Sequence, residues 1–427
     1  MSSGTGAAAA PRPGWRARLA GAGLELDALT MTFSGGVTAV LGLGFWTVAA
    51  RGYSMAEVGR ASAIIYAATV LATLANLSLG GMYERFLPVS GDRTRRYLLA
   101  GTGLSAGLAL LLGSGFWLFG PTERLFATQC ELLSFPLLVL CLAQFALLDH
   151  TLVGLGRTRW AAGKNIVHAV AKLVLAAAAI GWAASGFSLV TAWAAPAGLL
   201  VLVYLPVLWR RWSVGGSQDL PAALPPRAEL WSFFGTSFGI MVVAAIAPLV
   251  IPLIVVQQLG VELNAAFTMA WALYSAAVLL LTSVTGPYVA RAATPGSAVG
   301  RLTRRFAALL AGLTLLGAVF LWFLGPVLLG LLGPRYAAEA GSLMRLMALS
   351  LPLSYAALLF AGVARVVRRL RLAMAMQLFL AVAVVTGTWL TVPRFGLDGI
   401  GYTYLAAEAL VTVVLAGPIW RTIRRLG

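Results

Sequence analysis

The hydrophobic positions of the chain fall into long apolar stretches that are separated by short polar segments. A helix needs about 20 apolar residues to cross a membrane, and lipid leaves an open backbone no other way to pair its polar groups. The pattern predicts twelve transmembrane helices, at residues 28–50, 58–87, 97–119, 133–155, 166–186, 188–209, 233–257, 266–289, 306–332, 342–363, 372–391 and 398–420. The expected fold class is therefore all-α, a polytopic membrane protein with about 12 transmembrane helices.

The composition agrees with this pattern and excludes a water-soluble enzyme. The 427 residues are 60% hydrophobic and 11% charged, with a mean hydropathy of +0.89, whereas soluble domains are about 25% charged. The chain has 2 histidines and 2 cysteines, and it lacks a phosphate-binding loop and a nucleophile elbow. We therefore expect no enzymatic activity, no catalytic residues, no metal site and no cofactor.

Basic residues are distributed very unevenly between the two sides of this topology. Of the 31 lysines and arginines, 24 lie in segments on the side that holds both termini, 6 lie on the other side, and Lys172 lies within a predicted helix. Basic residues collect on the cytoplasmic side of membrane proteins. The distribution places both termini in the cytosol, in a multi-pass protein of the cytoplasmic (inner) membrane. It also explains the net charge of +17 without a nucleic-acid partner.

The two halves of the chain match at an offset near 206 residues. It is 206 between Ser62, Thr69, Asn76, Gly80 and Arg85 and their counterparts Thr268, Ser275, Thr282, Gly286 and Arg291, 209 in the loop that follows (residues 94–97 and 303–306), and 205 between residues 116–120 and 321–325. Six helices per half return the chain to its starting side, so both halves insert the same way up, as in parallel repeats. The pattern predicts two pseudo-symmetric six-helix lobes around a central cleft. The predicted domains are a cytosolic disordered or amphipathic start (1–27), an N-lobe (28–209), a cytosolic linker (210–232), a C-lobe (233–420) and a cytosolic tail (421–427).

Polar side chains follow one face of the second predicted helix, and the eighth helix repeats the pattern. The spacing of three or four residues puts them on a common stripe; its members are Tyr66, Thr69, Thr73 and Asn76 in the second helix, and Trp271 and Ser275 in the eighth. Packing of small residues between helices is one explanation of such a stripe. The other is that both helices line an aqueous cleft and bind a glycan. The second helix is expected to run unbroken for about 30 residues, or about 45 Å.

Ionisable residues inside predicted helices are few, and such residues are costly in lipid unless they serve a function. Asp149 and Lys172 are expected at equal depth on adjacent helices, so an Asp149–Lys172 ion pair is the plainer interpretation. His168 precedes Lys172 by four residues and shares its face. Glu408 lies near the middle of the twelfth helix without an obvious partner. The alternative interpretation is that Asp149, His168 and Glu408 couple transport to an ion or proton.

Three stretches carry a resemblance to a known family. Residues 49–63 read AARGYSMAEVGRASA, and the second helix ends in Arg85-Phe86-Leu87-Pro88; residues 333–337 read GPRYA and residues 396–401 read GLDGIG. These stretches are similar to bacterial O-antigen and polysaccharide flippases of the multidrug/oligosaccharidyl-lipid/polysaccharide (MOP) exporter superfamily. The resemblance implies twelve to fourteen helices in two lobes. It also implies a glycan substrate carried on a polyprenyl pyrophosphate, with polysaccharide polymerases or glycosyltransferases as expected partners.

A pyrophosphate needs cationic partners, and arginine binds phosphate with two parallel hydrogen bonds. Under the flippase hypothesis, Arg85 and Arg291 receive the pyrophosphate on the cytosolic side, Arg51 meets it near the outer side, and Lys172 is the basic residue within the membrane. Ordinary anchoring at the cytosolic surface is the plainer interpretation of these arginines. Two other functions stay open: a cation-coupled drug or metabolite exporter, or a major-facilitator-like carrier, and a scaffold that transports nothing.

Overall fold

The computed structural model describes residues 15–181, 185–212, 226–292, 298–366 and 370–426, and within these residues the chain is almost entirely helical. The helices are α1 (Trp15–Gly52), α2 (Met55–Ala75), α3 (Leu79–Phe86), α4 (Thr94–Phe119), α5 (Thr122–Leu125), α6 (Gln129–Gly154), α7 (Thr158–Ala179), α8 (Gly186–Val207), α9 (Arg227–Leu259), α10 (Val261–Ser283), α11 (Thr285–Ala292), α12 (Val299–Leu332), α13 (Pro334–Val366), α14 (Leu370–Phe395) and α15 (Asp398–Leu426). The first fourteen residues of the predicted start and most of the predicted linker lie outside the described residues.

Twelve helices in the described part of the chain are long and apolar enough to cross a membrane. The predicted all-α fold with twelve transmembrane helices is therefore confirmed, and the chain is a multi-pass membrane protein. Helices α1 to α8 pack mainly on one another and form the N-lobe, whereas α9 to α15 form the C-lobe, and α2 packs against α9 and α10 between them. We call the end of the molecule where α1 and α9 finish the outer end, because the distribution of basic residues predicts that it faces away from the cytosol.

The second predicted helix is not continuous, so the expectation of one unbroken helix was wrong. Helix α2 ends at Ala75 and α3 begins at Leu79. Between them, Leu77 and Ser78 adopt left-handed backbone conformations with φ of 46° and 62°, and a right-handed helix cannot pass through two such residues. Asn76 fixes the break, because its amide donates to the Ala143 carbonyl of α6 at 3.1 Å.

The C-lobe has a helix interruption at the equivalent position, although Val284 between its two helices keeps a right-handed backbone with φ of −77°. Helix α10 ends at Ser283, and α11 runs from Thr285 to Ala292. Its first and last residues follow Leu79 and Phe86, the bounds of α3, by the same 206 positions that relate the two halves of the sequence. The internal repeat is therefore a repeat of structure, down to the interruption of one helix in each lobe.

The pseudo-twofold axis passes between α2 and α10 near the outer end. Thr268 donates a hydrogen bond to Ser62 at 3.0 Å, and these two residues are equivalent positions of the repeat. Only residues close to a twofold axis can contact their own equivalents. The approach is close, because a Cβ atom on Gly59 would lie 1.7 Å from the Val261 carbonyl oxygen. The two lobes therefore pack tightly together at the outer end.

Candidate functional site

The polar stripe of α2 is accessible over its middle third. Thr69 and Thr73 are exposed and Tyr66 is half-buried, although α2 contacts α4, α6, α8, α9 and α10. Because these five helices contact α2, we infer that these side chains face a space between the helices. The hydroxyls of Thr69 and Thr73 donate to carbonyls one turn back, at 2.7 and 2.9 Å, so their oxygens present acceptor sites to this space.

Asn76, the last member of the stripe, has a different environment. Its side chain is buried and donates to the Ala143 carbonyl, and its oxygen accepts from Ser105 at 2.6 Å. Gln144 also donates to the Ser105 hydroxyl, at 3.2 Å. The structure therefore places Asn76 in a polar network inside the N-lobe, where it holds the break after α2, and not beside Thr69 and Thr73 in the accessible space.

The C-lobe contains a cavity of about 430 Å³ between α10, α13, α14 and α15. Trp271 and Ser275, the predicted C-lobe members of the polar stripe, both line it. Two tyrosines complete an aromatic wall: the ring of Trp271 lies 5.9 Å from that of Tyr274 and 5.8 Å from that of Tyr404. The cavity is therefore an aromatic chamber with a few polar groups, as small-molecule sites usually are.

Glu408 provides the carboxyl group of this cavity. Its side chain is 5% exposed, and one carboxyl oxygen accepts a hydrogen bond from Ser354 at 3.0 Å. The other oxygen, Oε2, has no hydrogen-bond partner in the described part of the protein, and no ion pair to Glu408 forms there either. A buried carboxyl oxygen without a partner is costly, so a proton, or a water molecule or cationic ligand in the cavity, would stabilise this group.

The predicted Asp149–Lys172 ion pair was wrong, because Asp149 pairs with Lys164 instead. The distance between Lys164 Nζ and Asp149 Oδ1 is 3.1 Å, and Asn165 donates to the same oxygen at 3.0 Å. Lys164 is fully buried and also donates to the Phe145 carbonyl at 2.9 Å. Helix α7 begins at Thr158, eight residues before the predicted start, so Lys164 lies within the helix and reaches Asp149 first.

Lys172 and His168 lie deeper in the N-lobe, among aromatic side chains. Lys172 is 6% exposed, and its ammonium group lies 3.4 Å from the ring centroid of Trp193 and 5.6 Å from that of Phe45. His168 Nε2 lies 3.0 Å from the Trp193 carbonyl oxygen. A cation over aromatic rings is attracted by their electron density. A substrate can reach Lys172 only if these rings move, so its predicted contact with pyrophosphate requires a rearrangement.

The predicted phosphate-binding arginines lie at opposite ends of the molecule. Arg85 is exposed on α3, and its guanidinium carbon lies 5.4 Å from the centre of the Phe86 ring. Arg291 lies at the equivalent position of α11, and its side chain is outside the described residues. Arg51 lies at the outer end, where its guanidinium group binds the Leu331 carbonyl of the C-lobe.

Sequence reasoning missed several residues of these sites, namely Lys164, Tyr274, Ser354, Gln377 and Tyr404. Lys164 had a detectable signal, since it precedes His168 by four residues and Lys172 by eight and so shares their helix face. Tyr404 precedes Glu408 by four residues and could have been placed beside it in the same way. Tyr274, Ser354 and Gln377 come from other helices, and only the packing of α10, α13 and α14 against α15 brings them to Glu408.

Comparisons with known proteins give relationships of fold alone. No protein-family model matches the chain. No curated protein matches it either.

Solved structures, in contrast, match over nearly the whole chain. The lipid II flippase MurJ in an inward closed conformation superposes with a TM-score of 0.69 at 12% identity, over 94% of this chain and 89% of that one. An inward-facing multidrug resistance MATE family transporter of the MOP superfamily gives 0.66 at 14% identity, over 91% and 94%. A MOP superfamily transporter from Pyrococcus furiosus gives 0.57 at 14% identity, over 95% and 96%. The chain therefore has the fold of MOP superfamily transporters.

Proposed function

We propose that the protein is a transporter of the cytoplasmic membrane that works by alternating access between its two lobes, and that it has no enzymatic activity. The observation that supports this is the arrangement along the pseudo-twofold axis. At the outer end, α2 and α10 are joined through Ser62 and Thr268. Further along α2, the side chains of Thr69 and Thr73 are exposed inside the bundle. A seal beside an accessible polar space is the geometry of one half of an alternating-access cycle.

The substrate that we propose is an oligosaccharide carried on a polyprenyl pyrophosphate, exported for the synthesis of a surface polysaccharide. Two features support it: the sequence resemblance at residues 49–63 and 85–88, and the shared fold with a lipid II flippase. A long lipid tail can stay in the bilayer while the polar head crosses between the lobes. Polysaccharide polymerases or glycosyltransferases are then the natural partners, because they supply and consume such a lipid.

Two kinds of residue suit the two parts of the polar head: hydroxyl-bearing residues suit its sugars, and arginines suit its phosphates. Hydroxyl and phenol groups on α2, at Tyr66, Thr69 and Thr73, suit the hydroxyls of a sugar. Arg85 and Arg291 follow these stripes at the predicted cytosolic end and suit the two phosphates, since a guanidinium group binds phosphate oxygens with a fork of donors. In this proposal the arginines capture the substrate and the stripe accommodates its glycan.

A transport assay with defined vesicles tests this proposal directly. The purified protein is reconstituted, a fluorescent undecaprenyl-pyrophosphate oligosaccharide is incorporated, and the outward-facing fraction is measured with an impermeant lectin. We expect protein-dependent exchange that the Thr69→Val, Thr73→Val double variant slows about thirtyfold, since two polar partners contribute on the order of 1 kcal/mol each. Thr47→Val is the matched control, since this half-buried threonine of α1 makes the same bond to a carbonyl four residues back. Exchange equal to that of empty vesicles would refute the substrate.

A second candidate function, export of a small organic cation, is favoured by the C-lobe cavity. The cavity combines the rings of Trp271, Tyr274 and Tyr404 with the buried carboxyl group of Glu408. Aromatic faces with a carboxylate form an environment that attracts organic cations. A neutral glycan does not require such a carboxylate.

The same vesicles distinguish the two functions. Under the glycan proposal, a lipophilic fluorescent cation is not accumulated, and an excess of it leaves glycan exchange unchanged. Under the second, the cation is transported and the lipid-linked glycan is not. Competition between the two substrates would indicate that both bind the C-lobe cavity. The glycan would then carry an amine, because a cationic group is what the carboxyl group of Glu408 attracts.

A further inference from the structure

Two arginines of the N-lobe reach across to the C-lobe at the outer end. The first is Arg51, in the last turn of α1. Its Nε and Nη2 atoms both donate to the carbonyl oxygen of Leu331, at 3.1 and 2.7 Å. Leu331 lies in the last turn of α12, where the carbonyl groups have no partner within the helix.

The second is Arg124, in the short helix α5 that follows α4. Its Nη1 atom donates to the carbonyl oxygen of Val256 at 3.1 Å and also to that of Gln257. Both carbonyls belong to the last turn of α9. The contact therefore has the same chemistry as the first, because a guanidinium group of the N-lobe binds backbone carbonyl groups at the C-terminal end of a C-lobe helix; the Val256 carbonyl also accepts from the Gly260 amide at 3.2 Å.

The internal repeat relates these two contacts to each other. Gln257 follows Arg51 by 206 positions, the offset of the repeat, so the two residues are equivalent ends of α9 and α1. Leu331 follows Arg124 by 207 positions, and the local offset here is 205, so Leu331 lies two residues from the position equivalent to Arg124. The contact between α1 and α12 thus becomes the contact between α9 and α5 when the two lobes are exchanged. The arginine lies on the α1 side in one contact and on the α5 side in the other.

We propose that Arg51 and Arg124 form a pair of latches, one on each side of the pseudo-twofold axis, that hold the outer end of the transporter closed. A cation at a helix C-terminus is favoured because the helix dipole places partial negative charge there. The two contacts lie on opposite sides of the axis. The lobes can therefore separate at the outer end on neither side, whereas a single contact would let them pivot apart on the side without it. The inference concerns the outer end alone and holds for any substrate.

The carbonyl acceptors make these latches reversible. A guanidinium–carbonyl bond is weaker than a guanidinium–carboxylate bond, in which both partners are charged, and both arginines remain accessible to water. The latches can therefore open during each cycle without leaving a buried charge unpaired. The interface between them, with Ser62 fully buried against Thr268, becomes accessible only when they release.

The labelling rate of a cysteine at Ser62 measures the opening. Serine and cysteine have nearly the same shape, and the native Cys130 and Cys141 are replaced by serine so that only the new thiol reacts. A maleimide added to the solubilised protein then reacts in proportion to the fraction of molecules with an open outer end. Arg51→Gln and Arg124→Gln are each expected to raise the rate about threefold, and together about tenfold, which corresponds to about 1.4 kcal/mol.

The control variants are Arg345→Gln and Arg394→Gln, which remove exposed arginines of the C-lobe at the same end. They should leave the rate unchanged. If the double glutamine variant does not insert into the membrane, the Arg51→Lys, Arg124→Lys pair gives the same test, with an expected rise of about threefold because lysine lacks the planar fork. An unchanged rate in the inserted variants, or an equal rise in the controls, would overturn the proposal.

Discussion

The interiors of the two lobes differ although their frames are related by the internal repeat. In the N-lobe, Asp149 is paired with the fully buried Lys164, and Lys172 lies against Trp193 and Phe45. The C-lobe contains instead a cavity of about 430 Å³ with the carboxyl group of Glu408 on its wall. The buried charged groups described in the N-lobe are thus mainly cationic, and its cavity between α3 and α4 is smaller, at about 190 Å³, and apolar, whereas the larger cavity of the C-lobe is lined by a carboxyl group.

This difference separates what the repeat determines from what it does not. The repeat determines the helix order, the break after α2 and α10, and the contact of Ser62 with Thr268. It does not determine the charges of the buried side chains. Unlike Ser62 and Thr268, the residues inside each lobe do not contact their equivalents in the other lobe, so they need not match them. Each lobe was therefore free to acquire its own buried charges. We infer that the N-lobe charges support the fold and that the C-lobe carboxyl group serves binding or coupling.

The largest effect is expected from Asp149→Asn. The change leaves Lys164 fully buried without its carboxylate, and breaking a buried ion pair typically costs about 3–5 kcal/mol. The expected result is a strong loss of folded protein, measured as the monodisperse fraction on size-exclusion chromatography and as the midpoint of thermal unfolding in detergent.

The double variant Asp149→Leu, Lys164→Met is the control, since it removes both charges and should recover most of the yield. If Asp149→Asn instead gives a normal yield and transport loses its pH dependence, the N-lobe charges couple transport to protons. Normal yield with unchanged pH dependence would contradict both roles.

The next largest effect is expected from Glu408→Gln, and on function instead of stability. Glutamine keeps the size of the side chain and can still accept from Ser354, so the yield and the unfolding midpoint should stay close to those of the unchanged protein. Loss of the carboxyl group should reduce ion-coupled transport, or the binding of an organic cation, at least tenfold, because a paired charge contributes more than about 1.4 kcal/mol in a buried site.

Glu262→Gln provides the comparison for this variant, since Glu262 is exposed and pairs with Arg335 near the outer end. It should affect neither yield nor transport strongly, as surface ion pairs contribute little. A fall in stability for Glu408→Gln as large as that for Asp149→Asn would show that both lobes use their charges structurally, and the contrast between them would disappear.

The sequence was sufficient to predict the twelve membrane-spanning helices, since each apolar stretch is long enough to cross the membrane. It did not indicate the break at Leu77 and Ser78, because neither residue is a glycine or proline, and the break is held by contacts of Asn76 with Ala143 and Ser105.

The candidate sites were only partly predictable, for a related reason. The pairing of Asp149 with Lys164 depended on where α7 begins, an error of two helical turns. The bonds of Arg51 and Arg124 were not predictable, because their acceptors are backbone carbonyls that every residue carries. Helix faces can be derived from spacing, whereas contacts between helices depend on packing.

A moderate effect is expected at Arg85 and Arg291, the pair that the repeat makes equivalent. If both bind the pyrophosphate, replacing either by glutamine should reduce glycan exchange about tenfold at normal membrane insertion, and lysine should restore part of it. Arg95→Gln is the matched control in the adjacent basic cluster. Loss at Arg85 alone would extend the asymmetry of the lobes to the cytosolic end, and equal tolerance at all three positions would leave both arginines as topology signals.

The smallest effect on function is expected from single-cysteine variants at exposed positions. Labelling them in intact cells tests the membrane topology on which the comparison of the two lobes depends. The native Cys130 is exposed in the first turn of α6 at the outer end, and Ala338 is exposed in the second turn of α13 at the same end of the C-lobe. If both lobes insert the same way up with cytosolic termini, an impermeant maleimide should label Cys130 in the unchanged protein. It should also label Ala338→Cys in a Cys130→Ser background, whereas Asp92→Cys, exposed at the opposite end, should react only after the cells are lysed. Asn264 precedes the predicted eighth helix by two residues, but it lies within α10 and is fully buried, so it is unsuitable as a probe. Labelling of one outer position without the other would mean that the halves are not parallel, and the comparison between equivalent interiors would then lose its basis.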